Sequence, residues 1–110
     1  MAEFILFIRE DLTRYPIPEE QLTSLIAQHT AWAKELSAQG IFRNGYGVGD
    51  QGVLLAQVDD EIQALPIQDA KHGIGGFYII EAEDLDAAIE IGRGCPTFKD
   101  GDQLEVRPLM

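Results

Sequence analysis

His29 is a titratable ring in an otherwise apolar row. Leu22, Leu25, Ile26, His29, Trp32, Ala33 and Leu36 recur at spacings of three and four, the repeat of one helix face. That row aims the imidazole at the core or at a cavity in the core. With an unperturbed pKa near ~6.5, an imidazole there can move protons at neutral pH. The competing role is structural, a core ring whose nitrogens are satisfied by backbone or water. The other reactive residue types form no constellation. His29 and His72 lack metal-ligand spacing, and Cys95 stands alone before Pro96, so neither a metal site nor an internal disulfide is expected. Gly45, Gly47 and Gly49 alternate without the spacing or the lysine of a nucleotide-binding loop, and no cofactor is expected.

The elements that would position His29 follow from periodicity and punctuation. Two apolar sets, Phe4/Leu6/Ile8 and Ile5/Phe7, alternate over Glu3–Arg9, as in a strand covered on both faces. Pro18, Glu19 and Glu20 suit the first turn of a helix running to about Gln39, where Gly40 supplies a left-handed cap. The glycine-rich stretch 45–52 reads as a loop or bent hairpin, after short strand character at Ile41–Arg43. Val53–Val58 and Glu61–Ile67 read as strands joined by an Asp59-Asp60 turn, and Pro66 restricts the second to an edge or an end. Gln68–Gly73 reads as a polar loop. Phe77–Ile80 is the strongest strand signal, Asp84 suits the N-cap of a second helix, and Leu104–Arg107 is the last strand.

That order predicts an α+β fold: a ferredoxin-like βαββαβ sandwich with an extra strand, two helices lying on one face of a mostly antiparallel sheet. Two helices cover only one face. Apolar residues on both faces of the first strand and of Phe77–Ala82 therefore predict a homodimer through the helix-free sheet face, a dimeric α/β-barrel-like assembly.

A length of 110 residues fits one domain, residues 1–110, and an apolar fraction of 45% supplies its core. The net charge of −11, from 8 basic and 19 acidic side chains, weighs against nucleic acid and anionic lipid as partners. No run approaches the ~20 apolar residues of a membrane span, and no signal-peptide pattern opens the sequence. With a single cysteine, a cytoplasmic address is expected.

The string from Ile74-Gly75-Gly76-Phe77-Tyr78-Ile79-Ile80-Glu81-Ala82 through Asp84-Leu85-Asp86-Ala87-Ala88-Ile89-Glu90 resembles the YCII-related domain family, in particular its DGPF-type branch. His29 followed by Trp32, Glu35, Leu36 and Gly40 resembles that branch's histidine helix. Gly45-Tyr46-Gly47-Val48 is similar to its glycine–acid–glycine–aliphatic turn, and Leu104-Glu105-Val106-Arg107-Pro108-Leu109 to its terminal strand. Two departures stand out. Ala64-Leu65-Pro66-Ile67 replaces the Asp-Gly-Pro-Phe string, though Asp69 and Lys71 follow it, and Tyr46 replaces the turn acid. The resemblance implies a dimeric ferredoxin-like subunit with a pocket near the helix histidine. Some relatives act in breakdown of chlorinated aromatic compounds, and others occur alongside alternative sigma factors.

These readings converge on a small dimeric enzyme, or enzyme-like binder, acting on a small aromatic or carboxylated metabolite by lyase- or isomerase-type proton transfer. His29 is the candidate acid/base, with Asp69 as orienting carboxylate or Tyr46 as assisting phenol. Arg9, Lys71 and Trp32 are candidate substrate-binding residues, the two cations for a carboxylate or phenolate. The alternative is a non-catalytic module, a ligand sensor or protein-interaction accessory linked to transcription regulation, which the degraded motif and the missing turn acid favour.

Overall fold

The computed structural model describes residues 1–14, 16–49, 51–67 and 72–110, without the side chains of residues 72 and 100. Its elements are β1 (Ala2–Asp11), α1 (Glu19–Ala38), β2 (Phe42–Gly47), β3 (Val53–Val58), β4 (Glu61–Pro66), β5 (His72–Ala82), α2 (Leu85–Gly92) and β6 (Gln103–Pro108). Four strands form one antiparallel sheet in the order β2-β5-β1-β6, the ferredoxin-like order, and both helices pack on one of its faces. β3 and β4 form a separate two-stranded hairpin inserted between β2 and β5.

The local signals act as their chemistry dictates. Pro18 fixes the entry to α1, and Gly40 leaves it at φ 74°. The Asp84 carboxylate accepts from the Ala87 N–H at 2.8 Å and caps α2, a contact worth about 1 kcal/mol. Asp59 takes the left-handed conformation, φ 56°, at the hairpin turn.

Register then assigns the faces. The cross-strand pairs Phe4–Ile80 and Leu6–Tyr78, with Leu6–Val106, put Phe4, Leu6, Ile8, Tyr78, Ile80 and Ala82 on the helix side. There they meet Trp32, Leu36, Ala88 and Cys95 in the core. Leu6 and Ile80 are fully buried, and each such side chain contributes ~1.5–3 kcal/mol. Ile5, Phe7, Phe77 and Ile79 lie on the opposite face and are half-buried.

Three expectations change. β2 continues through the glycine-rich stretch as far as Gly47, because its backbone pairs with β5 although its side chains carry no apolar alternation. β1 and β5 both outrun their apolar cores and pair down to Asp11 and His72. The β3–β4 hairpin stays out of the main sheet, and the chain is extended accordingly. Its radius of gyration is 15.6 Å, against about 13 Å for a compact chain of this length. Among the described residues, no helix is long and apolar enough to cross a membrane.

Candidate active site

The apolar stripe of α1 divides along its length. Trp32 and Leu36, near the C-terminal end, are buried in the core. Leu22, Leu25, Ile26, His29 and Ala33 instead wall a cavity of about 1160 Å³ between α1, the sheet and the hairpin, which contributes Val53 and Leu54. The sheet supplies this space by omitting side chains. Gly45, Gly47, Gly73 and Gly75 border the cavity, and a Cβ at Gly45 would meet the Phe77 carbonyl at 2.9 Å. The cavity is therefore a consequence of glycines on β2 and β5 lying opposite the first half of α1.

His29 Nδ1 lies 2.6 Å from the Tyr78 hydroxyl, and the rings stack with centroids 5.9 Å apart at 19°. The same hydroxyl is 3.5 Å from the His29 carbonyl oxygen. Trp32 meets the Tyr78 ring edge-on at 4.9 Å, and Phe42 does so at 6.4 Å. Tyr78 is thus fixed from three sides. Burial first, and the nearby Cys95 thiol second, push its phenol well above the ordinary tyrosine range, so it stays protonated. A neutral phenol between these two acceptors supports both histidine tautomers. It donates to Nδ1 when Nε2 carries the proton. When Nδ1 carries the proton, the phenol accepts from it and turns its own O–H toward the His29 carbonyl.

Sequence reasoning misses Tyr78 as a partner of His29. The signal that finds it is strand parity: Tyr78 lies opposite Leu6, on the face that packs against the helices.

Of the other candidates, Arg9 and Trp32 do not border the cavity. Tyr46 pairs with Phe77, ring centroids 6.1 Å apart, which sets it on the strand position opposite in face to Tyr78, yet it also borders the cavity that His29 walls. Arg9 lies on that same face, its guanidinium 2.9 Å from the Glu105 carboxylate. Trp32 backs Tyr78 from the core and does not border the cavity. Asp69 and Lys71 lie outside the described residues.

Among the described residues, two acids border the cavity, Glu10 and Asp102. The buried Asp102 carboxylate accepts from the Asp11 N–H and from Arg14 Nη2, each at 2.8 Å, and so ties the end of β1 to the start of β6. Among the described residues, no three His, Cys, Asp or Glu side chains gather as metal ligands would. Burial pushes the Cys95 thiol up to about 11, which makes it a core residue and not a nucleophile near neutral pH.

A family model, the YCII-related domain, matches residues 4–110. A search of the curated proteins found no significant match. Solved structures with this fold include the 5-chloro-2-hydroxyhydroquinone dehydrochlorinase TftG from Burkholderia phenoliruptrix, in complex with 2,5-dihydroxybenzoquinone. It is 23% identical to this chain, with a TM-score of 0.58, covering 98% of this chain and 93% of the other.

Proposed function

This chain belongs to the YCII-related domain family, and on that premise we propose that it performs acid–base chemistry on a small hydroxylated ring compound. The observation that carries this reading is the His29–Tyr78 pair at the wall of an apolar cavity. The largely apolar walls give a planar ring a surface to bury against. His29 Nε2 takes the proton of a ring hydroxyl or an activated carbon. Before the step Nδ1–H donates to the Tyr78 oxygen and leaves Nε2 unprotonated; after it the imidazolium keeps that bond, and Nε2 later returns its proton to the ring or the leaving group. Tyr78 here takes the orienting role that a carboxylate takes in other histidine dyads. The TftG structure, whose ligand is a hydroxylated quinone ring, supports that substrate class by analogy of fold alone. The resemblance of the Ile74–Glu90 string and the Leu104–Leu109 ending supports membership of the DGPF-type branch, with a degraded motif.

The same reading includes a cytoplasmic homodimer. Half-buried Ile5, Phe7, Phe77 and Ile79 on the helix-free face, and exposed Val53, Leu55 and Ile62 on the hairpin, are the apolar surface that a second copy would cover. Analytical ultracentrifugation at micromolar concentration should give twice the monomer mass, and a monomer alone refutes the dimer.

Isothermal titration with hydroquinone tests the ring-binding reading. The wild type should bind it, and His29→Gln should lose most of the affinity while folding normally. A cavity that binds no hydroxylated ring refutes it. Binding that His29→Gln leaves unchanged, with no turnover of chlorinated hydroquinones, favours the non-catalytic sensor.

A further inference from the structure

Trp32 stands one helical turn past His29 on α1, at a spacing that puts two side chains on one helix face. Both reach the same residue of the sheet. His29 Nδ1 meets the Tyr78 hydroxyl at 2.6 Å, and the indole meets the Tyr78 ring at 84° with centroids 4.9 Å apart. One turn of helix thus holds both the hydroxyl tip of the tyrosine and the ring that carries it. Phe42 touches the same ring from β2 at 73° and 6.4 Å, a longer contact.

The connection after α2 makes room for the indole. Gly94 takes no left-handed φ, so its backbone does not require glycine. A Cβ there would meet Trp32 Nε1 at 3.3 Å and the Ile91 carbonyl at 3.5 Å, tight enough that the indole would have to give. Trp32 itself is buried, at 7% exposure, and does not border the cavity. Any part it has in the chemistry therefore passes through Tyr78.

We infer that Trp32 is a positioning residue, which sets the Tyr78 hydroxyl on His29 Nδ1 and so orients the imidazole. Its effect on turnover rests on the acid–base reading above; its effect on the pair does not.

Long-range proton–nitrogen NMR of the full chain reads the tautomer balance of the His29 ring without any substrate. Trp32→Phe keeps an aromatic ring but loses the reach of the indole, and should shift that balance in the same direction as Tyr78→Phe, by a smaller amount. Gly94→Ala retains the indole but crowds it at Nε1, and should change the balance as well. Leu104→Ala is the control for lost packing, since Leu104 lies on β6, two strands from Tyr78 in the sheet order. It should lower Tm and leave the balance alone. With chlorinated hydroquinones, Trp32→Phe should lose about tenfold in kcat, because misplacing a reacting pair by about 1 Å costs up to about 10²-fold. KM should stay within about twofold, because the cavity walls are untouched. The inference is overturned by an unchanged balance in both Trp32→Phe and Gly94→Ala, by the same change in Leu104→Ala, or by full kcat in Trp32→Phe where the wild type turns over. Absence of turnover in the wild type overturns the acid–base reading instead, and the NMR result then decides for Trp32 alone.

Discussion

Replacing Tyr78 with Phe isolates the contact on which the proposed chemistry rests. The ring stays, and with it the edge-on contact to Trp32 at 4.9 Å and the half of the site that is merely packed. What goes is a hydroxyl 2.6 Å from His29 Nδ1. A hydrogen bond of this kind contributes about 0.5–1.5 kcal/mol net, and a partner left unsatisfied costs about 1–3 kcal/mol when fully buried. Because His29 is half-buried, about 1.5 kcal/mol is the appropriate total. For 110 residues at about 2.1 cal/mol/K each, the unfolding entropy is about 0.23 kcal/mol/K, so Tm should fall by about 6–7 °C. Calorimetry measures that fall. Long-range proton–nitrogen NMR of the His29 ring should show the tautomer balance change once Nδ1 loses its partner. Hydroquinone should still bind, because the apolar walls are untouched, but turnover should drop by 10²-fold or more, the usual worth of a positioned acid–base group. A Tm within 1 °C of wild type together with an unchanged tautomer balance would refute the pairing, whatever the turnover.

The remaining predictions concern the surroundings of that pair. His29→Gln should melt within a few degrees of wild type yet lose turnover, checked by thermal melts beside an assay with chlorinated hydroquinones; a collapse of Tm would return His29 to a structural role. Arg14→Leu leaves the buried Asp102 carboxylate without its guanidinium and should cost about 3–5 kcal/mol, read by urea unfolding. Stability should also fall as pH rises from about 9 to about 11. Cys95 keeps its proton in the folded chain up to about 11 against an ordinary 9.0, so across that window the unfolded chain holds fewer protons and gains on the folded one. The raised phenol of Tyr78 acts in the same direction above its ordinary 10.0. Cys95→Ala should flatten the slope of Tm against pH over that window, and an unchanged slope would show that the thiol is not the group responsible.

Legibility of the fold tracked how local each signal was. The limits of α1 follow from Pro18, the acids after it and Gly40, all within a turn of the helix ends. The Asp84 cap and the Asp59 turn are equally local. β2 was only half legible, because Asn44, Gly45 and Gly47 carry no strand pattern and are held extended by β5 alone. His29 was legible as a candidate because its row is a property of one helix. Its partner was not, since Tyr78 is 49 residues away and reaches it only through the register of β5 on β1.

Sequence by itself therefore determined the helix face that carries His29, the order of elements that makes a ferredoxin-like sheet, and the acidity that weighs against nucleic acid. Each depends on backbone geometry or composition over a few residues. The tertiary structure decided which groups meet. Strand pairing turned Tyr78 and Gly45 toward the helices, sent Tyr46 and Arg9 to the other face, and joined Arg9 to Glu105 across 96 residues. Side chains alternate along a strand, so a face is fixed only when a neighbour fixes the register. The cavity, too, is a tertiary object, since it exists only where glycines of two strands come to lie opposite the first half of one helix.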